Sequence, residues 1–144
     1  MLIPTGAPDA VACIQGEASL RGTVKFYAVR EGTFVVAQIQ GLPENTGGFY
    51  GFHIHGGSSC RGIGFPDTRS HYDPLNAPHP MHAGDLPPLL RCGKNAFLAV
   101  CTDRFHVADV IGKTALIHSE ADDFRSQPAG HAGEKIGCGV IRKL

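Results

Sequence analysis

At 144 residues the chain has room for one domain with a real core and not for two of ordinary size. Lysine plus arginine and aspartate plus glutamate number 13 each, so the formal charge is zero, and the lack of any basic block argues against a nucleic-acid partner. Hydrophobic residues make up 42% and mean hydropathy is −0.04, which sets aside a disordered tail, while the longest apolar run, Ala96 to Cys101, is far too short for a membrane helix.

The opening Met1-Leu2-Ile3-Pro4 lacks the basic segment and long apolar region of a secretory leader. The sequence as it stands is therefore expected in the cytoplasm, or in the periplasm or outside the cell if a leader has been removed. The first strand is expected over Asp9–Glu17. From Gly22 to Val29, Val24, Phe26 and Ala28 face one way and Lys25 and Tyr27 the other. From Thr33 to Gln40, Val35, Ala37 and Ile39 alternate with Val36, Gln38 and Gln40, and Arg30-Glu31-Gly32 separates the two runs by hairpin distance. Further strands are expected over Phe49–Gly56, Ala83–Leu90, Asn95–Thr102, Thr114–His118 and Gly137–Ile141, and no window of helical length carries a 3.6-residue stripe. Eight short strands punctuated by 19 glycines and 10 prolines predict an all-β, antiparallel sandwich or barrel in a single domain spanning 1–144. Two intervals break the pattern, Gly57 to Ala83 and Ser119 to Ile136. Long unpatterned loops in a small domain are functional, or are held by an ion or a disulfide.

The first of these loops carries most of the chemistry. Between Gly51 and Asp85 lie His53, His55, His71, His79, His82 and Asp85, five of the chain's eight histidines among them. Neutral imidazole is the commonest metal ligand, and carboxylate is its natural companion around zinc. In Gly51-Phe52-His53-Ile54-His55 the two-residue strand period sends both histidines to one face, with Cα atoms roughly 7 Å apart. A surface strand with two outward polar residues would also read this way. His71, His79, His82 and Asp85 add three imidazoles and a carboxylate, a donor set that matches a closed structural zinc site better than a catalytic site with an open position. Such a site would also pin the loop. Five cysteines leave at least one unpaired within the chain, and without a CxxC spacing a thiolate zinc site is not expected.

Gly51-Phe52-His53-Ile54-His55, His71-Tyr72-Asp73-Pro74-Leu75, His82-Ala83-Gly84-Asp85-Leu86, His118-Ser119-Glu120-Ala121-Asp122-Asp123 and Gly137-Cys138-Gly139-Val140-Ile141 resemble, in order, the signature segments of copper/zinc superoxide dismutases. The resemblance runs from about Val11 to Ile141. It implies an immunoglobulin-like Greek-key sandwich or barrel of eight strands with two long functional loops. It further implies copper held by His53, His55, His71 and His118, and zinc held by His71, His79, His82 and Asp85, with His71 shared as an imidazolate. Asp122 would accept hydrogen bonds from His53 and His79 and fix their orientation; as a bare residue it reads equally as a loop cap. Cys60 and Cys138 would form a disulfide between the metal loop and the last strand. Cys13, Cys92 and Cys101 have no counterpart and are expected to be buried thiols, and His106 and His131 lie outside the motifs.

The implied activity is dismutation of superoxide to dioxygen and hydrogen peroxide, with His71 taking up and delivering a proton. The family usually has an arginine three residues before the second disulfide cysteine, and this chain has Lys135 there. Lysine keeps the charge that guides a small anion but loses the planar fork. The stretch from Cys60 to His71 is longer than the family's, while His79 to His82 and the segment after Asp123 are shorter, which bears on loop closure, anion steering and the contacts of the homodimer the resemblance allows. A copper/zinc-binding or copper-delivery module with little turnover is the alternative, with all four copper ligands counting against it. A zinc hydrolase would leave His53, His55 and His118 unexplained.

Overall fold

The computed structural model describes residues 2–144. The strands are β1 (Ala10–Gly16), β2 (Arg21–Val29), β3 (Gly32–Gln40), β4 (Phe49–His55), β5 (Asp85–Cys92), β6 (Asn95–Thr102), β7 (Thr114–His118) and β8 (Lys135–Lys143). They close into an antiparallel barrel in the order β1-β2-β3-β6-β5-β4-β7-β8. Pairing of β1 with β8 removes the free edges an open sheet would present to another chain. β3 pairs with β6 and β4 with β7, so two connections pass over neighbouring strands in the Greek-key manner.

Alternation decides what the barrel encloses. Val24 and Phe26 of β2 lie opposite Ala37 and Val35 of β3, and all four are fully buried. Ala10, Ala12 and Ile14 of β1, Tyr50, Phe52 and Ile54 of β4, and Ala115 and Ile117 of β7 join the inward set, with further members from β5, β6 and β8. Ala28, at the end of β2, leaves that row and is exposed.

The remaining differences from expectation have local causes. β5 begins and ends two residues later than expected, and its register against β4 shifts between Tyr50 and Phe52, where Tyr50 faces Leu89 but Phe52 faces Leu86. The intervening Pro87-Pro88 has no N–H to give a ladder, so the irregularity falls where the sequence cannot pair. β8 is longer than expected by two residues at each end, and near its start Ile136 sits unpaired at a shift between the Ile117–Gly137 and His118–Lys135 pairs. Irregularities of this kind re-aim the side chains beside them. A four-residue helix, α1 (Val107–Val110), and a short 3-10 turn at Pro66–Thr68 are too brief to leave a periodic trace. The free cysteines are not the buried thiols expected: Cys13 and Cys92 are exposed and Cys101 is half-buried. Cys13 stands between the inward Ala12 and Ile14, so the strand period turns it outward. Among the described residues, no helix is long and apolar enough to cross a membrane.

Candidate metal centre

β4 runs between β5 and β7, and its outward face carries His53 and His55, paired across the ladders with Asp85 and Leu116 and with Thr114. This face lies outside the barrel yet is sealed: His53 is fully buried and His55 2% exposed, because the loops 57–84 and 119–134 fold over it. His71 is carried to the same spot by a short antiparallel strip, with Tyr72 N–H donating to the Ile54 carbonyl (2.8 Å) and Gly56 N–H to that of Ser70 (2.9 Å). His118, the last residue of β7, completes the group.

Two sets of ligand atoms result, each with all members within 4.8 Å of one another: His53, His55, His71 and His118, and His71, His79, His82 and Asp85. His71 belongs to both. In the first set His55 Nε2 and His118 Nε2 are 3.2 Å apart. In the second, His71 Nδ1 lies 3.2 Å from His82 Nδ1 and 2.7 Å from Asp85 Oδ1. Two lone-pair nitrogens this close need a cation or a proton between them, and a zinc ion bound at ordinary Zn–N lengths sets tetrahedral edges of about 3.3 Å.

On four of the six imidazoles the outward nitrogen has a partner, which shows which atom is left to bind. His53 Nε2 meets Asp122 Oδ2 at 2.7 Å and His79 Nε2 meets Asp122 Oδ1 at 2.8 Å. His55 Nδ1 meets the Arg69 carbonyl at 2.7 Å, and His118 Nδ1 that of Gly133 at 3.4 Å. His53 Nδ1, His71 Nε2 and His79 Nδ1 are buried with no hydrogen-bond partner. His79 Nδ1 is 3.1 Å from Asp85 Oδ2, but outside hydrogen-bonding geometry. A buried nitrogen without a partner is costly, and all three face the sets. The donors therefore fit two metal ions: an all-imidazole set, which suits copper, and a three-histidine, one-carboxylate set, which suits zinc.

Burial is the main reason the His55 imidazole is depressed to about 2 and that of His118 to about 3, so both are neutral and able to ligate at ordinary pH. His53 is lowered by burial as well, against the opposing pull of its hydrogen bond to Asp122. For Asp122 burial acts upward, but hydrogen bonds from His53, His79 and the Phe124 N–H outweigh it and hold the carboxyl below its usual range. Asp85 is lowered in the same manner, burial being outweighed by its histidine partners.

Lys135 leaves β8 beside His118 and points its ammonium into the first loop, donating to Thr68 Oγ1 (2.8 Å), the Arg69 carbonyl (3.1 Å) and the Phe65 carbonyl (3.5 Å). Burial lowers its pKa, and its charge helps depress His55 and His118. Cys60 and Cys138 are bonded, with an S–S distance of 2.00 Å, tying the same loop to β8. The structure brings His53, His55, His71, His79, His82, His118 and Asp85 together in the two sets, with Asp122 between His53 and His79, Lys135 beside His118 and the Cys60–Cys138 bond on the adjoining loop. His106 and His131 are exposed and outside this centre. Three residues that touch its supports carried no signal in the sequence. Asn45 donates to the carbonyls of Phe49 (2.7 Å) and Ser119 (2.9 Å), while Arg104 and Gln127 bond the backbone of the zinc-side loop. Each is a polar residue among others in a loop, with no spacing that marks it.

Comparison with known proteins agrees with this geometry. The family model of copper/zinc superoxide dismutase matches residues 20–141. Copper/zinc superoxide dismutase 3 of Arabidopsis thaliana is 33% identical, over 98% of this chain and 94% of its own. The crystal structure of a SOD-like protein from Bacillus subtilis matches with a TM-score of 0.78 at 26% identity, covering 90% of this chain and 95% of that one. The clock protein EA4 matches with a TM-score of 0.83 at 28% identity, over 100% of both chains.

Proposed function

The chain belongs to the copper/zinc superoxide dismutase family, and from that membership we propose that it disproportionates superoxide to dioxygen and hydrogen peroxide. The observation that carries the reading is the pair of complete ligand sets joined at His71, with buried nitrogens left free toward them. His53, His55, His71 and His118 would hold copper, and His71, His79, His82 and Asp85 would hold zinc. Bound there, copper supplies one-electron oxidation and reduction of the substrate, and zinc a fixed positive charge.

The chain's own residues set the conditions for that chemistry. His53 and His79 are locked in orientation by Asp122, and His55 by the Arg69 carbonyl, so little rearrangement is needed as charge changes at the centre. His71 presents Nε2 to the copper set and Nδ1 to the zinc set, and Nε2 is the atom placed to take up a proton and give it to reduced substrate. Lys135 is the fixed cation beside His55 and His118, positioned to draw the anion. The disulfide holds the loop that carries the Arg69 carbonyl.

A second reading is a copper/zinc-binding or copper-delivery module with little turnover. It draws support from the fold's likeness to a SOD-like protein and a clock protein, and from lysine in place of arginine at 135. One experiment separates the two. Protein loaded with copper and zinc should consume superoxide far faster than an equal amount of free copper, and His118→Ala, which removes one copper ligand, should bring the rate down to that control. Full copper occupancy without activity above the control would leave the binding module.

A further inference from the structure

The segment His79-Pro80-Met81-His82 directs its side-chain ligands inward, while its peptide groups face other parts of the chain. Gln127 meets His79 with both ends of its carboxamide: Oε1 accepts from the His79 N–H at 2.9 Å, and Nε2 donates to the His79 carbonyl at 2.8 Å. Two bonds to the main chain of one residue reproduce a rung of an antiparallel ladder. From another direction, Arg104 Nη1 donates to the carbonyls of Pro80 (2.7 Å) and His82 (3.1 Å). The root of Arg104 is itself fixed. Its N–H donates to Thr102 Oγ1 at 3.2 Å, and the next residue, Phe105, is buried with its carbonyl accepting from Thr33 Oγ1 at 2.8 Å. Pro78 and Pro80 have no N–H, so the segment cannot build a ladder of its own. Inside it, the main chain is held by Met81 N–H to the Pro78 carbonyl and by His82 N–H to Asp85 Oδ2.

We propose that Gln127 and Arg104 are positioning residues that keep the His79–His82 segment in its metal-ready shape, so that zinc retention depends on two side chains that never touch the ion. The proposal rests on reading His71, His79, His82 and Asp85 as the zinc site. A loop that must be ordered by the ion spends binding energy on its own conformation; a loop already held at four main-chain groups does not. The two clasps come from different places, Gln127 from the loop after β7 and Arg104 from the connection between β6 and α1, but they hold neighbouring peptide groups of one segment, so their effects are coupled. Neither bonds to His53, His55 or His118, so the effect falls first on the zinc half and reaches the copper half only through the shared His71 and through Asp122, which holds both His79 and His53.

The test uses the whole protein loaded with zinc, and with cobalt(II) as a visible probe of the same site. Release to a chromogenic chelator is timed for the wild type, Gln127→Met, Arg104→Met and the double variant, with Arg104→Lys as the conservative replacement. Outer partners of metal ligands are typically worth about tenfold or more in affinity, so each single variant should release metal roughly ten times faster and the double variant at least as fast as the faster single one. Arg104→Lys should fall between, because one ammonium can still reach a carbonyl. The melting temperature of the metal-stripped variants is measured alongside. Unchanged release in both single variants overturns the proposal, as does acceleration that only tracks a lower melting temperature of the stripped protein. If wild-type protein gives no four-coordinate cobalt spectrum, the zinc reading itself falls, an outcome distinct from failure of the clasps.

Discussion

Asp122 offers one oxygen to His53 Nε2 and the other to His79 Nε2, so a single carboxylate fixes one imidazole of each ligand set. Its depressed pKa and the depressed pKa values of His55 and His118 act on stability in the same direction. In the unfolded chain an imidazole takes up a proton near pH 6.5, whereas buried His55 and His118 resist until about 2 and about 3. Between those limits the unfolded state binds more protons, so stability falls as the solution is acidified. Asp122 adds a later loss: its contribution is whole above the unfolded carboxyl value of 3.8 and fades as pH drops through its lower folded value. The urea midpoint of the metal-stripped protein should therefore decline steadily from pH 7 to pH 4, and steepen below that. A midpoint that stayed flat from pH 7 to pH 4.5 would show that these histidines are not held neutral by burial.

Among the elements, the loop between β4 and β5 depends on its ties more than on any structure of its own. It is fixed by the Cys60–Cys138 bond to β8, by Lys135 at the 3-10 turn, and by the strip that pairs His71 with His55. The disulfide spans a separation of 78 residues, for which the loop-closure estimate is roughly 4–5 kcal/mol. Cys60→Ser should lower the melting temperature by roughly 10 °C or more. It should also loosen copper more than zinc, because the freed loop carries the Arg69 carbonyl that orients His55. Equal loss of both metals would place the disulfide's effect in the barrel and not in the loop. These elements also mark how far the sequence could be read. The alternation Phe52-His53-Ile54-His55 placed the histidines opposite the core residues, because a strand has no other way to arrange them. It could not show that the outward face would be buried too, since that needs two distant loops to fold over it. The ends of β5 and β8 differ from the local pattern, and each strand also carries a ladder irregularity, at Pro87-Pro88 and at Ile136. Ladder irregularities answer to the partner strand, which local pattern does not contain.

At the scale of the whole molecule, the barrel brings His118 and Lys135 to the cluster that begins at His53, through the pairing of β4 with β7 and of β7 with β8. The ligand residues were legible because the family's spacing marks them, whereas Arg104, Gln127 and Asn45 act by position in the folded chain alone. On the dismutase reading, a formal charge of zero leaves no general field to draw an anion, so local cations would set how the rate responds to salt. Lys135 acts in two ways: its charge lies close to His55 and His118, and its ammonium latches Thr68 and the Arg69 carbonyl. Three substitutions divide these roles. Lys135→Arg keeps the charge and should retain most of the superoxide-consuming rate. Lys135→Met loses charge and latch together, and Lys135→Glu loses the latch while reversing the charge. If steering dominates, Lys135→Glu should be roughly tenfold slower than wild type, with Lys135→Met between them, and only the wild type and the arginine variant should slow as salt is added. If the latch dominates, the methionine and glutamate variants will be equally slow, share the salt response of the wild type, and both lose copper more readily to a chelator.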